Sequence, residues 1–222
     1  MLKPRKRLSK KKLKEDKLVT FYYKASAWAE DNSKYVIGAI TAAAIIFVAV
    51  YFYANSQKGA EQKASVELAK ATRTFESGDY QNAMPLLTNL VEKYGSTKSG
   101  KMGLLYLADS FFETNDYENA KINYKKFASA FRGDEHILSA AYAGIAACDE
   151  QLKNYQEAAQ EYEKTVKKFP DSIFAPNYLL RAARCYTLAK MPNEAKNVYA
   201  KLVKDYPDAQ EKSEALMLKA ML

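Results

Sequence analysis

Four times between residues 64 and 210 the chain repeats itself, at a spacing of 37 or 38 residues. An alanine marks the register of each copy: Ala83, Ala120, Ala158 and Ala195. Three residues earlier stand Tyr80, Tyr117, Tyr155 and, as the exception, Pro192; four residues later come Leu87, Tyr124, Tyr162 and Tyr199. Turn phrases precede the first three marks: Ser77-Gly78-Asp79, Thr114-Asn115-Asp116 and Leu152-Lys153-Asn154. A unit of this length holds a pair of helices that cannot bury its own apolar face, so the copies must stack into an array. The predicted fold is all-α.

These residues resemble the tetratricopeptide pattern, most clearly in the first-helix positions Leu104, Leu107, Ala108 and Phe111, and again in Leu179, Ala182, Ala183 and Tyr186. The resemblance implies a solenoid of helical hairpins over residues 64–222, about four repeats in which small alanines let helices approach and a proline ends the second helix. Pro170 and Pro207 fit that ending, whereas Gly95 and Arg132 stand in its place in the first two units. The excess over the usual 34 residues is placed between units, where Ser172 to Ala175 lengthen the connection before Pro176 opens a helix. Residues 211–222 are expected to cap the open end. Pro85, inside a second helix, is expected to kink or delay it.

Ahead of the repeats, residues 35–54 read YVIGAITAAAIIFVAVYFYA, twenty residues without a charge. That length crosses ~30 Å of hydrocarbon as a helix, and Tyr35 at one end with Tyr51, Phe52 and Tyr53 at the other suit the two interfaces. The organisation expected is a cytoplasmic tail (1–34), a membrane-spanning helix (35–54), a linker (55–63) and the repeats. The net charge of +8 belongs almost wholly to the tail, where 11 Lys and Arg face 4 Asp and Glu. The positive-inside rule keeps that end cytoplasmic and exports everything after residue 54, into the periplasm of a bacterium with the helix in its inner membrane. The apolar run is too long, and begins too late, for a cleaved signal peptide, so an anchor is expected. Within the tail, Lys3, Arg5, Lys6, Arg7, Lys10, Lys11, Lys12, Lys14 and Lys17 form a polybasic stretch that would face anionic lipid. Leu18, Phe21, Ala25 and Trp28 then recur at helical spacing, as in a helix lying on the inner leaflet.

Little in the chain can do covalent chemistry. His136 is the one histidine, and Cys148 and Cys185 are the two cysteines. There is no Gly-rich phosphate loop, no C-x-x-C and no H-E-x-x-H, and the carboxylate neighbours Asp134-Glu135 and Asp149-Glu150 point apart on a helix. No catalytic residue, metal, cofactor or small-molecule substrate is expected. Charge concentrated in the tail also argues against a nucleic-acid-binding repeat face. The cysteines occupy equivalent positions on successive first helices, too far apart for a disulfide, and read as core thiols.

Binding has a natural surface in the concave face lined by first helices. The register assigns to it Met102, Leu105, Asp109, Phe112, Glu113, Glu150, Gln151, Asn177, Leu180, Arg184 and Leu188. Tetratricopeptide domains that clamp a C-terminal carboxylate place Lys and Asn at positions held here by Leu68, Leu105, Ala143 and Leu180. That mode is not expected; a mixed apolar and charged groove suits a helix or an unfolded segment of another protein. The order of aromatic tail, single anchor and exported repeats, carried by residues 21–90, is similar to the bacterial ancillary SecYEG translocon-subunit family. This implies association with the export channel and periplasmic chaperones or quality control. Scaffolding of envelope assembly or cell division, or a tail that contacts anionic lipid or ribosomal RNA, stand as alternatives.

Overall fold

The computed structural model describes residues 17–222, with side chains from Phe21 onward. The tail residues Lys3, Arg5, Lys6, Arg7, Lys10, Lys11, Lys12 and Lys14, and the side chains of Lys17 and Leu18, lie outside the described residues. Among the described residues every element is helical, and the chain divides into two units, Met1–Ser56 and Gln57–Leu222.

The first unit holds α1 (Lys17–Asp31) and the opening part of α2 (Ser33–Glu76). Along α1 the aromatic side chains of Phe21, Tyr22, Tyr23 and Trp28 are exposed. The N-terminal part of α2 is long and apolar enough to cross a membrane, with a mean hydropathy of 2.3 over its most apolar window, none of which is buried. Residues 55–63, expected as a linker, are helical. They contain no proline and only one glycine, Gly59, so nothing in them stops α2.

In the second unit the helices alternate as first and second members of hairpins. From residue 57 onward α2 pairs with α3 (Tyr80–Tyr94), α4 (Lys98–Glu113) with α5 (Tyr117–Ala130), α6 (Glu135–Gln151) with α7 (Tyr155–Lys168), and α8 (Ala175–Leu188) with α9 (Pro192–Asp205). The short α10 (Lys212–Ala220) lies against α9. The four register alanines lie on α3, α5, α7 and α9 and are wholly buried, as are the small first-helix residues Ala71, Ala108, Ala146 and Ala183 twelve residues before each. Leu87, Tyr124, Tyr162 and Tyr199 are buried four residues later. The repeat read from the sequence is thus the repeat of the structure. Pro85 neither delays nor ends α3, which begins at Tyr80 and runs through it. Pro85 is exposed, as is Gln81, whose carbonyl loses its helical donor there.

The turns explain why each hairpin closes where it does. Gly78, Asn115, Lys153 and Lys190 occupy the same place in four successive turns, and all have positive φ, from 60° to 80°. The next residue's N–H reaches back to the final turn of the first helix, as from Asp116 to the Phe111 carbonyl (2.8 Å) and from Met191 to the Tyr186 carbonyl (2.9 Å). This is a Schellman ending, for which glycine and asparagine are suited and lysine is not. Lys153→Gly and Lys190→Gly should therefore each raise stability by about 0.5–1 kcal/mol, read as a shift in the urea midpoint at unchanged m-value.

Helix starts are set by side chains. Asp79, Asp116 and Asp134 each accept from backbone N–H groups in the first turn of α3, α5 and α6. At α4 the cap arrives partly from a distant helix. The Glu61 carboxylate on α2 accepts from the Lys98 N–H (2.8 Å), the Ser99 N–H and the Ser99 hydroxyl (2.6 Å). Burial alone would raise the Glu61 pKa, but these bonds hold it below the usual carboxylate range.

Candidate binding face of the first helices

The face is built from α4, α6 and α8, and its middle is carpeted by small side chains. From α6 come Ala140, which is exposed, then Ala143 and Ala147, which are buried. From α4 come Met102, Leu105 and Phe112, each half-buried against the core beneath, with the Phe112 ring edge-on to Tyr117 at 5.3 Å. Asp109 is half-buried and Glu113 exposed on the same helix. Glu150 is half-buried at the end of α6 with Gln151 exposed beside it, and α8 contributes exposed Asn177, Arg184 and Leu188.

One residue expected to line the face belongs elsewhere. Leu180 is 3% exposed and packs in the C-terminal core with Ala143, Ala146 and Tyr178. The alanines of α6 leave room for α8 to close over that position. Arg184 is half-exposed, but its guanidinium is bound to Glu214 on α10.

A ladder of tyrosines fixes the carboxylates of the face. The buried Tyr124 on α5 donates to Asp109 (2.5 Å), and the buried Tyr162 on α7 donates to Glu150 (3.0 Å). Glu150 also receives the Arg181 guanidinium (2.8 Å), which lies 4.8 Å from the Tyr162 ring centre. The sequence register marks Tyr124 and Tyr162, but not Arg181 or this hydrogen bonding. The signal was present, since a buried tyrosine hydroxyl needs a partner and the facing first helix is the nearest source.

Electrostatically the two ends of the face differ. Glu150 is met by Arg181 and Arg184 by Glu214, whereas Asp109 and Glu113 take part in no ion pair among the described residues. Burial pushes the Asp109 carboxyl up to about 6, reinforced by Glu113 and opposed by the Tyr124 hydrogen bond. A carboxyl raised in the folded state weakens folding above that value and ceases to do so as the pH falls towards its unfolded value of about 4. Asp109→Asn, which keeps an oxygen for Tyr124, should therefore stabilise the protein by about 1–2 kcal/mol at pH 8. The gain should shrink as the pH falls through about 6 and vanish below about pH 4, as followed by melting temperature across that range.

Two clefts lie nearby. One, of about 360 Å³, is lined by the apolar Met102, Phe131 and Ile137 and by the cationic Lys98, Lys101 and Arg132, with Asp134 among them. The other, of about 430 Å³, opens between α5, α6 and α7 and includes Lys121, Tyr142, Asp149 and Lys164. Among the described residues no three His, Cys, Asp or Glu side chains gather as a metal site. Cys148 and Cys185 are free and buried, and burial first, then the neighbouring Asp149 and Glu150 respectively, pushes each thiol up to about 12. Neither is a nucleophile at neutral pH.

A tetratricopeptide repeat-like domain model matches residues 26–220. No curated protein matches the chain. Among solved structures, the apo form of RapI superposes with a TM-score of 0.62 at 14% identity, over 73% of this chain and 48% of RapI, so the chain spans about half of that protein. A kinesin light chain protein of nearly identical TPR-like repeats from Podosopora anserina gives 0.57 at 15% identity, covering 72% of this chain and 85% of the other. MamA from Desulfovibrio magneticus RS-1 gives 0.55 at 15%, covering 71% and 86%. At these identities the likeness is one of fold.

Proposed function

Since the chain belongs to the tetratricopeptide repeat-like domain family, a fold that serves protein–protein interaction, we propose that it is a membrane-anchored scaffold whose first-helix face takes an extended or helical segment of another protein. The observation that carries this reading is the character of the face. Half-exposed Phe112, Met102 and Leu105 and the exposed Leu188 supply apolar area, while Asp109 and Glu113 leave negative charge unmatched by any described cation. A segment carrying apolar residues beside a lysine or arginine fits that combination.

The anchor reading rests on the bare apolar part of α2. Ile37, Ile45, Phe47 and Phe52 are each more than 60% exposed. A core helix of this composition would be covered by protein, and lipid is the solvent that suits it. With the lysines and arginines of residues 1–34 on one side, the positive-inside rule puts the repeats outside the cytoplasm. The order of aromatic α1, anchor and repeats supports a post beside the export channel, where emerging chains present apolar and basic segments.

A photocrosslinking residue placed at Leu188 or Phe112 in the full-length protein in its membrane should give discrete polypeptide adducts. The same residue at Lys167, exposed on α7, should give at least fivefold less. Glu113→Lys should reduce the adducts without moving the melting temperature, and externally added protease should reach the repeats. Equal adducts from α7 would remove the binding role from this face. Adducts lost only on deleting residues 1–20 would transfer the function to the basic tail.

A further inference from the structure

We propose that the cleft where α4 and α6 begin takes an acidic residue, with the apolar residue beside it, from the polypeptide segment that lies on the first-helix face. This inference rests on that face as a binding surface and adds the charge order of what binds there. The cleft, of about 360 Å³, is bounded by the start of α4, residues 131–134 of the turn between α5 and α6, and Ile137 of α6. Its cations Lys98, Lys101 and Arg132 take part in no ion pair among the described residues, although Lys101 is half-buried. Lys121, Arg181 and Arg184, by contrast, are each matched by a carboxylate. Asp134 in the cleft and Glu61 beside Lys98 are spent on helix starts. Asp134 accepts from the His136 and Ile137 N–H groups, and Glu61 from those of Lys98 and Ser99. Glu61 also offsets part of the Lys98 charge, so Lys101 and Arg132 carry the site. Like charges gathered without a counter-charge repel one another, and an incoming carboxylate turns that cost into attraction.

The apolar side of the cleft is held in place. Phe131 stacks on Phe127 with ring centres 4.7 Å apart. Gly133 lies so close over Phe131 that a Cβ there would stand 2.6 Å from the ring. The Arg132 guanidinium donates to the Phe131 carbonyl (2.7 Å), which fixes it beside the cleft and leaves its other N–H groups for a carboxylate. Met102 belongs both to the cleft and to the first-helix face. From it the face continues along α4 through Leu105 to Asp109, Phe112 and Glu113, at spacings that share one side of a helix. That side is positive at its start, apolar in its middle and negative at its end. At a rise of about 1.5 Å per residue, Lys101 and Asp109 stand about 12 Å apart along the axis. An extended segment covers that distance in about four residues and a helical one in about eight. The segment that fits is acidic at one end, apolar between and basic at the other.

The probe is a rhodamine-labelled synthetic peptide with two glutamates at one end, two lysines at the other and leucine and phenylalanine between, made in both directions. Full-length protein in phosphatidylcholine nanodiscs should bind the better direction at least tenfold tighter, by fluorescence anisotropy, than an isomer of the same composition with alternating charges. Replacing the peptide's glutamates by glutamine should remove that advantage, and so should Lys101→Gln with Arg132→Gln in the protein. Lys101→Glu with Arg132→Glu should instead prefer a peptide with lysines at both ends, a gain that a misfolded variant does not produce. Equal binding of the segregated and alternating peptides would overturn the proposal, as would an advantage untouched by the Lys101 and Arg132 variants. So would dodecanoate bound through Lys101 and Arg132 that no peptide displaces, which would assign the cleft to a small amphiphile. If photoadducts from Phe112 persist in any of these cases, the face keeps its binding role and only the cleft loses its ligand. Absence of those adducts would remove both readings.

Discussion

Lys121→Met should cost the fold about 3 kcal/mol, and adding Asp149→Leu to it should return most of that loss. Asp149 sits on α6 with its side chain 3% exposed, and its carboxylate is bonded to the ammonium of Lys121 on α5 at 2.5 Å, the lysine side chain being 23% exposed. Desolvating a carboxylate is expensive, so deleting its cation while leaving it in place typically costs 3–5 kcal/mol. The cleft between α5, α6 and α7 adjoins this pair and admits water, which argues for the lower end of that range. Removing both charges is different in kind. Methionine and leucine are compatible with the apolar surroundings of Ile145 and Tyr142, and exchanging a buried pair for apolar side chains is often neutral. Urea denaturation of the two variants and of Asp149→Leu alone completes the double-mutant cycle. A single-variant loss below 1 kcal/mol would show that water, not Lys121, stabilises the carboxylate.

The array was legible because its packing rule is local and repeated. Ala83, Ala120, Ala158 and Ala195 recur at one spacing because the same close helix approach recurs, and all four are buried. What the sequence hid depends on contacts between distant elements. Leu180 falls in the lining register, but the small Ala143 and Ala146 of α6 draw α8 inward and bury it. Arg184 reads as a free cation until α10 brings Glu214 to it, thirty residues on. The cap on α4 is likewise invisible locally, since its carboxylate belongs to Glu61 on α2. Residues 55–63, expected as a linker, have a composition that does not break a helix, and α2 passes through them. Of the residues expected to line the face, Met102, Leu105, Asp109 and Phe112 of α4 are half-buried, while their neighbours Leu104, Leu107 and Ala108 are buried.

Gly100→Ala should destabilise the protein by about 3 kcal/mol, whereas Gly59→Ala, the same exchange in α2, should stabilise it. Both residues are helical and the difference lies in what surrounds them. The first repeat ends without a proline, and only Gly95, Ser96 and Thr97 separate α3 from α4. Thr97 is buried, donates its hydroxyl to the Tyr94 carbonyl (2.6 Å) and accepts from the Gly100 N–H (2.9 Å), folding the first turn of α4 back onto the end of α3. A Cβ at Gly100 would overlap the Tyr94 carbonyl group and lie 2.9 Å from the Gly95 nitrogen. These are backbone atoms, so no rotamer change relieves the overlap. The turn itself must open, at the upper end of the usual 1–3 kcal/mol for overpacking. A Cβ at Gly59 would meet nothing within 4 Å. There alanine contributes only its helix propensity, worth up to about 1 kcal/mol over glycine in a helix interior. Thermal melts of the two full-length variants in detergent should move in opposite directions from the wild type. A Gly100→Ala melt within a degree of wild type would mean that α3 and α4 are joined by a looser turn than the Thr97 hydrogen bonds require.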